Sequence, residues 1–219
     1  MDTRVQKHFD EDSRRFDGIY SENKSGYQTF IDTRIRGVVM ERLRLTRALA
    51  PAASDFSLLD VGCGSGRYGI ALARLGAGRA LGLDFAPRMI ALARAGAEEA
   101  GVTAKCEFQV GDFLSFKTSE RFDLVLAMGY FDYIREPAPH LEGMLAACAG
   151  HLLASFPKRW EWRVPIRRAR FAFSGSYVRF YDRGEVERLA RAAGLGAEQS
   201  YLLDFGRDYV LVARPGPRT

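Results

Sequence analysis

Three glycines on alternate positions, Gly62, Gly64 and Gly66, separate the apolar run Leu58-Leu59-Asp60-Val61 from a helix-forming segment that begins at Arg67. Few architectures accept that order. The apolar run suits a buried parallel strand. The glycines allow a sharp turn and leave no Cβ between main chain and ligand. The free N–H groups of the following helix converge on the same point, which suits an anionic group. A second acid, Asp84, ends the next strand-forming run, 79–84, at the spacing that sets a carboxylate against a pair of ribose hydroxyls. The loop is not a dinucleotide fingerprint. A G-x-G-x-x-G run from Gly62 needs glycine at 67, where Arg67 stands, and no G-K-[ST] phosphate loop occurs.

Around this corner the chain alternates. Strands are expected over 58–61, 79–84, 106–110, 122–128 and 151–156, with helices over 66–76, 87–100, 138–149 and 182–193. Pro87 suits a first helical turn. Two last strands, 199–205 and 208–213, are joined by Gly206-Arg207 as a tight hairpin. Upstream, Phe9, Phe16 and Tyr20 suggest an amphipathic segment ending at Asn23-Lys24-Ser25-Gly26, and a helix over 28–49 carries a broken apolar stripe that includes Arg42. The alternation implies an α/β fold with a parallel sheet wrapped on both faces. A chain of 219 residues supports one substantial core, so 1–219 reads as a single domain.

Charge and cysteine content narrow the setting. The net charge of +5 fits either an acidic partner or a solvated arginine-rich surface. Cys63, Cys106 and Cys148 lack metal-ligand spacing and are odd in number, which reads as reduced, buried thiols with no metal site. No apolar run is long enough to span a bilayer, and Met1-Asp2-Thr3-Arg4 does not open a signal peptide, so the expected location is cytoplasmic.

The D-x-G-x-G-x-G order from Asp60 resembles motif I of the class I S-adenosylmethionine-dependent methyltransferases. That resemblance implies a Rossmann-like fold: a seven-stranded, mostly parallel sheet with a C-terminal antiparallel hairpin. Residues 1–50 would form a helical cap over the active site and 55–214 the cofactor-binding core. The cofactor implied is S-adenosyl-L-methionine, with S-adenosyl-L-homocysteine as product. By the same resemblance, Asp60, Gly62, Cys63, Gly64 and Gly66 hold the methionine portion. Asp84 accepts both ribose hydroxyls, and Phe85 and Met89 flank it, with Ala86 where the family often has serine. Gly111-Asp112-Phe113 resembles the family's G-D segment, in which the aspartate meets the adenine amino group and the next residue packs on the ring. Carbonyls about Ala127 and Met128 meet the ammonium.

The acceptor side would be the loop beyond the fourth strand, Gly129-Tyr130-Phe131-Asp132-Tyr133. Asn-Pro-Pro-Tyr, the signature of amino-group methylation on adenine or glutamine, is absent. Asp132 is placed to orient or deprotonate an acceptor hydroxyl, or else to cap the following helix. Tyr130 is a second catalytic candidate, unless it is a core aromatic. Val5-Gln6-Lys7-His8-Phe9, Phe16-Asp17-Gly18-Ile19-Tyr20 and Ser155-Phe156-Pro157-Lys158 resemble magnesium-protoporphyrin O-methyltransferases. Those enzymes carry a catalytic histidine after strand four; here Asp132 stands there, so a porphyrin acceptor does not carry over. Of the histidines, His8 is the candidate to reach the site, His140 is expected exposed on a helix, and His151 structural. Substrate-binding candidates are Tyr20, Tyr27, Tyr133, Lys158 and Trp160. The basic aromatic stretch 158–171 fits an anion clamp, a peripheral contact with an anionic membrane, or a solvated cationic helix.

The combined expectation is methyl transfer to an oxygen, hydroxyl or carboxylate, of a small biosynthetic intermediate. The alternatives are an RNA methyltransferase, against which no RNA-binding module is expected beside the fold, and a catalytically silent cofactor-binding regulatory subunit. A hydride-transferring dehydrogenase is disfavoured by Arg67. The partner expected is a small-molecule acceptor, anionic if the basic stretch meets it, and no DNA. The oligomeric state is not legible.

Overall fold

The structure, a computed structural model, describes residues 26–160 and 177–216. The amphipathic segment expected before residue 26, with His8 and Tyr20, lies outside the described residues, as does 161–171 of the basic stretch. The order of elements is α1 (Gly26–Leu49), β1 (Ser57–Val61), α2 (Arg67–Arg74), β2 (Arg79–Asp84), α3 (Pro87–Glu99), β3 (Cys106–Val110), β4 (Phe122–Ala127), α4 (Pro137–Ala146), β5 (Cys148–Pro157), α5 (Arg183–Ala192), β6 (Ser200–Phe205) and β7 (Asp208–Ala213). A 3-10 turn, Phe131–Tyr133, follows β4.

The seven strands lie in the order β3-β2-β1-β4-β5-β7-β6. The first five pair in parallel, while β7 runs antiparallel between β5 and β6, as the expected C-terminal hairpin requires. From β1 the chain builds outward through β2 and β3 on one side, then returns to build β4 and β5 on the other. The crevice beyond the carboxyl ends of β1 and β4 is therefore the switch point at which open α/β sheets hold ligands.

Period-two alternation within each strand assigns the core to two faces. Leu59, Val61, Leu81, Leu83 and Val125 pack with Leu141, Met144 and Leu145 of α4 and Val186 and Ala190 of α5. Leu58, Leu124 and Leu126 pack on the opposite face with Leu43 of α1 and with Tyr68 and Leu72 of α2. Burial on both faces explains why these strands read as continuous apolar runs rather than alternating ones. Among the described residues, no helix is long and apolar enough to cross a membrane.

A third cluster, with Phe108 of β3 and Ile90, Ala93 and Ala97 of α3, extends under the glycine loop. There it sets a limit on Gly66, which has φ +73 at the N-cap of α2. A Cβ at Gly66 would lie 2.7 Å from Phe108 Cζ and 2.9 Å from Ala93 Cβ. Gly66→Ala therefore adds left-handed strain to overpacking and should cost about 2–4 kcal/mol of folding stability. A Cβ at Gly64 meets nothing within 4 Å, so Gly64→Ala should cost only about 1–2 kcal/mol through its φ of +53. Urea denaturation of the two variants measures the difference, and equal losses would contradict this reading of the loop.

Candidate active site

The loop after β1 is tied to β2 by its own backbone. Gly62 and Cys63 N–H both donate to the Leu83 carbonyl, at 2.8 and 3.0 Å, and Gly66 N–H donates to Cys63 O at 2.9 Å. Asp84 completes the frame: one carboxylate oxygen accepts Gly64 N–H and the other accepts Ala86 N–H, each at 2.9 Å. Each oxygen keeps a further lone pair, so the carboxylate can hold the loop and still accept two hydroxyls. Cys63 also donates its thiol to the Gly64 carbonyl at 3.6 Å. Its thiol is buried against Gly82 and pushed well up, by burial first and by Asp60 and Asp84 next.

Asp60, in β1, is 2% exposed. It accepts from Gly69 N–H, while its Oδ2 has no hydrogen-bond partner among the described residues. Burial and the neighbouring Asp84 push its carboxyl up to about 7, against the Gly69 bond. Burial also raises Asp84, opposed by its two backbone donors. A buried acid with an open acceptor atom beside a second acid fits a cationic hydrogen-bond donor, and an ammonium supplies both properties. The residues present thus fit the amino acid and ribose of an S-adenosyl cofactor.

Beyond Asp84 a cavity opens over the strand ends Val61 and Leu83. Its walls are Gly62, Asp84, Phe85, Gly111, Phe113 and Tyr130. Met89, Ala127 and Met128 are buried and do not line the cavity. Asp112 is half-buried at the rim, with one oxygen accepting Leu114 N–H at 2.9 Å.

Tyr130, the second catalytic candidate, lines the cavity, and a Cβ on Gly62 would sit 2.6 Å from its Cδ2. Burial, followed by Asp112 and Asp84, pushes its phenol well above the ordinary range, which leaves it protonated. His140, expected exposed, is 7% exposed and shares a 2.8 Å hydrogen bond between its Nδ1 and the Tyr130 hydroxyl. The pattern Pro137, His140, Leu141, Met144 shares one helical face, all buried, and that spacing was the available signal.

Asp132 lies in the 3-10 turn and is 3% exposed. Its carbonyl accepts Arg179 N–H at 2.8 Å, and the Phe131 carbonyl accepts the Tyr181 hydroxyl at 3.1 Å, so the returning segment at 179–181 pins the turn. Gly129 N–H donates to the buried Ser155 hydroxyl at 2.8 Å. Arg42, expected within the apolar stripe of α1, forms a buried ion pair instead. Its Nε donates to Asp208 Oδ2 at 2.7 Å, and its Nη1 would lie 2.7 Å from a Cβ on Gly129. Burial opposes its charge, but Asp208 and then Asp132 outweigh that and hold the guanidinium ionised. A cation interrupting an apolar stripe signalled a buried partner; its identity as Asp208 was not readable.

The remaining candidates divide. Tyr133 is half-buried beside Asp132, and Tyr27 belongs to α1. Lys158 turns away to the hairpin, pairing with Asp204 and donating to Gly206 O at 2.7 Å. Trp160 is 84% exposed and makes no wall of the cavity.

A family model described as a methyltransferase domain matches residues 52–161, half of the chain. The ubiquinone biosynthesis O-methyltransferase of Methylobacterium sp. (strain 4-46) is 43% identical over 94 residues, 43% of this chain and 37% of that protein. The ribosomal protein L11 methyltransferase of Pelotomaculum thermopropionicum is 41% identical over 99 residues, 45% of this chain and 32% of that protein. The match thus spans about a third of the length of these curated relatives. Magnesium protoporphyrin IX methyltransferase from Synechocystis PCC 6803, solved with bound S-adenosylhomocysteine, superposes with a TM-score of 0.77 at 18% identity, over 98% of this chain and 99% of that one. That likeness shows the fold. Glycine loop, acid pair, sheet order and domain match agree: the chain belongs to the class I S-adenosylmethionine-dependent methyltransferases.

Proposed function

We propose that the chain transfers a methyl group to an oxygen of a small-molecule acceptor approaching between the loop beyond β4 and α1. The observation that carries the reading is the buried acid pair Asp60 and Asp84 around the glycine loop, one acid keeping an unpartnered oxygen. S-adenosylmethionine, when bound, supplies the methyl as the electrophilic carbon of a sulfonium. Asp60 and the loop would orient the amino-acid end, Asp84 the ribose, and Asp112 the adenine edge. Asp132 would orient or accept the proton of an acceptor hydroxyl. In-line positioning is the main requirement of such a displacement, so a buried, braced turn is a suitable mount for Asp132. The oxygen acceptor is supported by the likeness to a ubiquinone biosynthesis O-methyltransferase. The likeness to a ribosomal protein L11 methyltransferase favours a second reading, a protein acceptor.

The test offers methyl-labelled S-adenosylmethionine with the purified chain to catechol and carboxylate metabolites, magnesium protoporphyrin, ribosomal protein L11 and bulk RNA. Label is expected on a small molecule, with equimolar S-adenosylhomocysteine. Label on L11 or RNA alone would replace the small-molecule reading. Saturable S-adenosylhomocysteine binding with no transfer to any member would favour the silent subunit.

A further inference from the structure

Helix α4 lines no part of the cavity, yet two of its three aromatic walls, Phe113 and Tyr130, lean on it. His140 and Gly143 are one turn apart and face the same way. His140 bonds the Tyr130 hydroxyl, and its ring lies within 26° of parallel to Phe113, centroids 6.5 Å apart. Gly143 admits Phe113, whose Cε1 would stand 3.1 Å from a Cβ there. The edge of the Tyr130 ring is packed in turn over Gly62. Burial pushes the phenol up and the imidazole down, so each group stays neutral and adds no charge to the slot. Neither makes another side-chain hydrogen bond among the described residues, so removing one strands a buried polar atom on the other.

We propose that His140 is a positioning residue of the adenosine slot: its hydrogen bond to the Tyr130 hydroxyl fixes that wall against Gly62 and thereby sets affinity for the adenosine half of the cofactor. The inference rests on the slot and is independent of which acceptor is methylated.

Calorimetric titration of the full chain with S-adenosylhomocysteine and with 5′-methylthioadenosine provides the test, alongside melting of the unliganded protein. His140→Leu should weaken both ligands by a similar factor, up to about tenfold, the cost of ordering the freed Tyr130 side chain on binding. Tyr130→Phe should do the same, and the double variant should bind no worse than either single one, because the two act through one bond. His140→Asn, which keeps a polar atom near the position of Nδ1, should recover affinity to within about twofold of wild type. Unchanged affinity in His140→Leu with a lowered melting temperature would overturn the proposal, as would losses that multiply in the double variant. If His140→Leu does not fold, Tyr130→Phe keeps the ring and carries the same expectation; wild-type affinity there overturns it.

Discussion

Asp60→Asn is expected to weaken S-adenosylhomocysteine binding by roughly tenfold to a hundredfold, the range for losing a hydrogen bond to a charged group. The same change should remove a pH-dependent liability from the unliganded protein. The Asp60 carboxyl stands at about 7 in the fold, raised by burial and by Asp84, against about 3.8 in the unfolded chain. A raised acid binds its proton more tightly when folded. Its stabilising contribution is complete below about pH 4 and is lost as pH rises through about 7. The difference is on the order of 4 kcal/mol. Wild-type stability should therefore fall relative to Asp60→Asn between pH 4.5 and 7.5 in urea denaturation. Parallel curves would show that Asp60 is solvated in a way its burial excludes. Ligand binding carries the opposite sign: an ammonium at Asp60 favours the carboxylate, so affinity should rise with pH up to about 7. In Asp60→Asn that rise should vanish.

Asp132→Asn is expected to lower kcat by roughly 10²–10⁴-fold, the range for a positioned acid–base group, with S-adenosylhomocysteine affinity within twofold of wild type. The turn carrying Asp132 is braced through main-chain groups, by Arg179 N–H on the Asp132 carbonyl and Tyr181 on the Phe131 carbonyl. An asparagine keeps those bonds. The competing role is electrostatic, since Asp132 helps hold the Arg42 guanidinium charged. In that case the loss appears in melting temperature, and turnover per folded molecule is unchanged. Single-turnover rates beside thermal melts separate the two, and normal chemistry in a destabilised variant would remove Asp132 from catalysis.

Local patterning carried most of the fold. The bounds expected for the strands 79–84, 106–110 and 208–213 agree with β2, β3 and β7. Their edges are set by short-range signals: Pro87 opening α3, and the Gly206-Arg207 turn before β7. The mostly parallel sheet with its antiparallel C-terminal hairpin followed from the family resemblance, while the strand order came only from the tertiary structure. At β5 the expectation of 151–156 fell short of Cys148–Pro157. The strand extends back past a register shift between Phe122 and Leu124, which only pairing with β4 reveals.

Within the site, the sequence alone determined the strand–glycine–helix corner and both acids, because their chemistry lies within one local turn or at one strand end. It could not separate the three loop glycines, which look alike in one dimension. Tertiary structure decided that Gly62 faces Tyr130, that Gly66 faces Phe108, and that Gly64 alone of the three leaves open space. It also decided the direction of Tyr130, because a 3-10 turn after β4 brings its hydroxyl to a helix ten residues away. Arg42 and Asp208 meet across 166 positions of chain. Such contacts depend on where whole elements pack, and no spacing in the chain encodes the depth at which a side chain is buried or the partner it finds there.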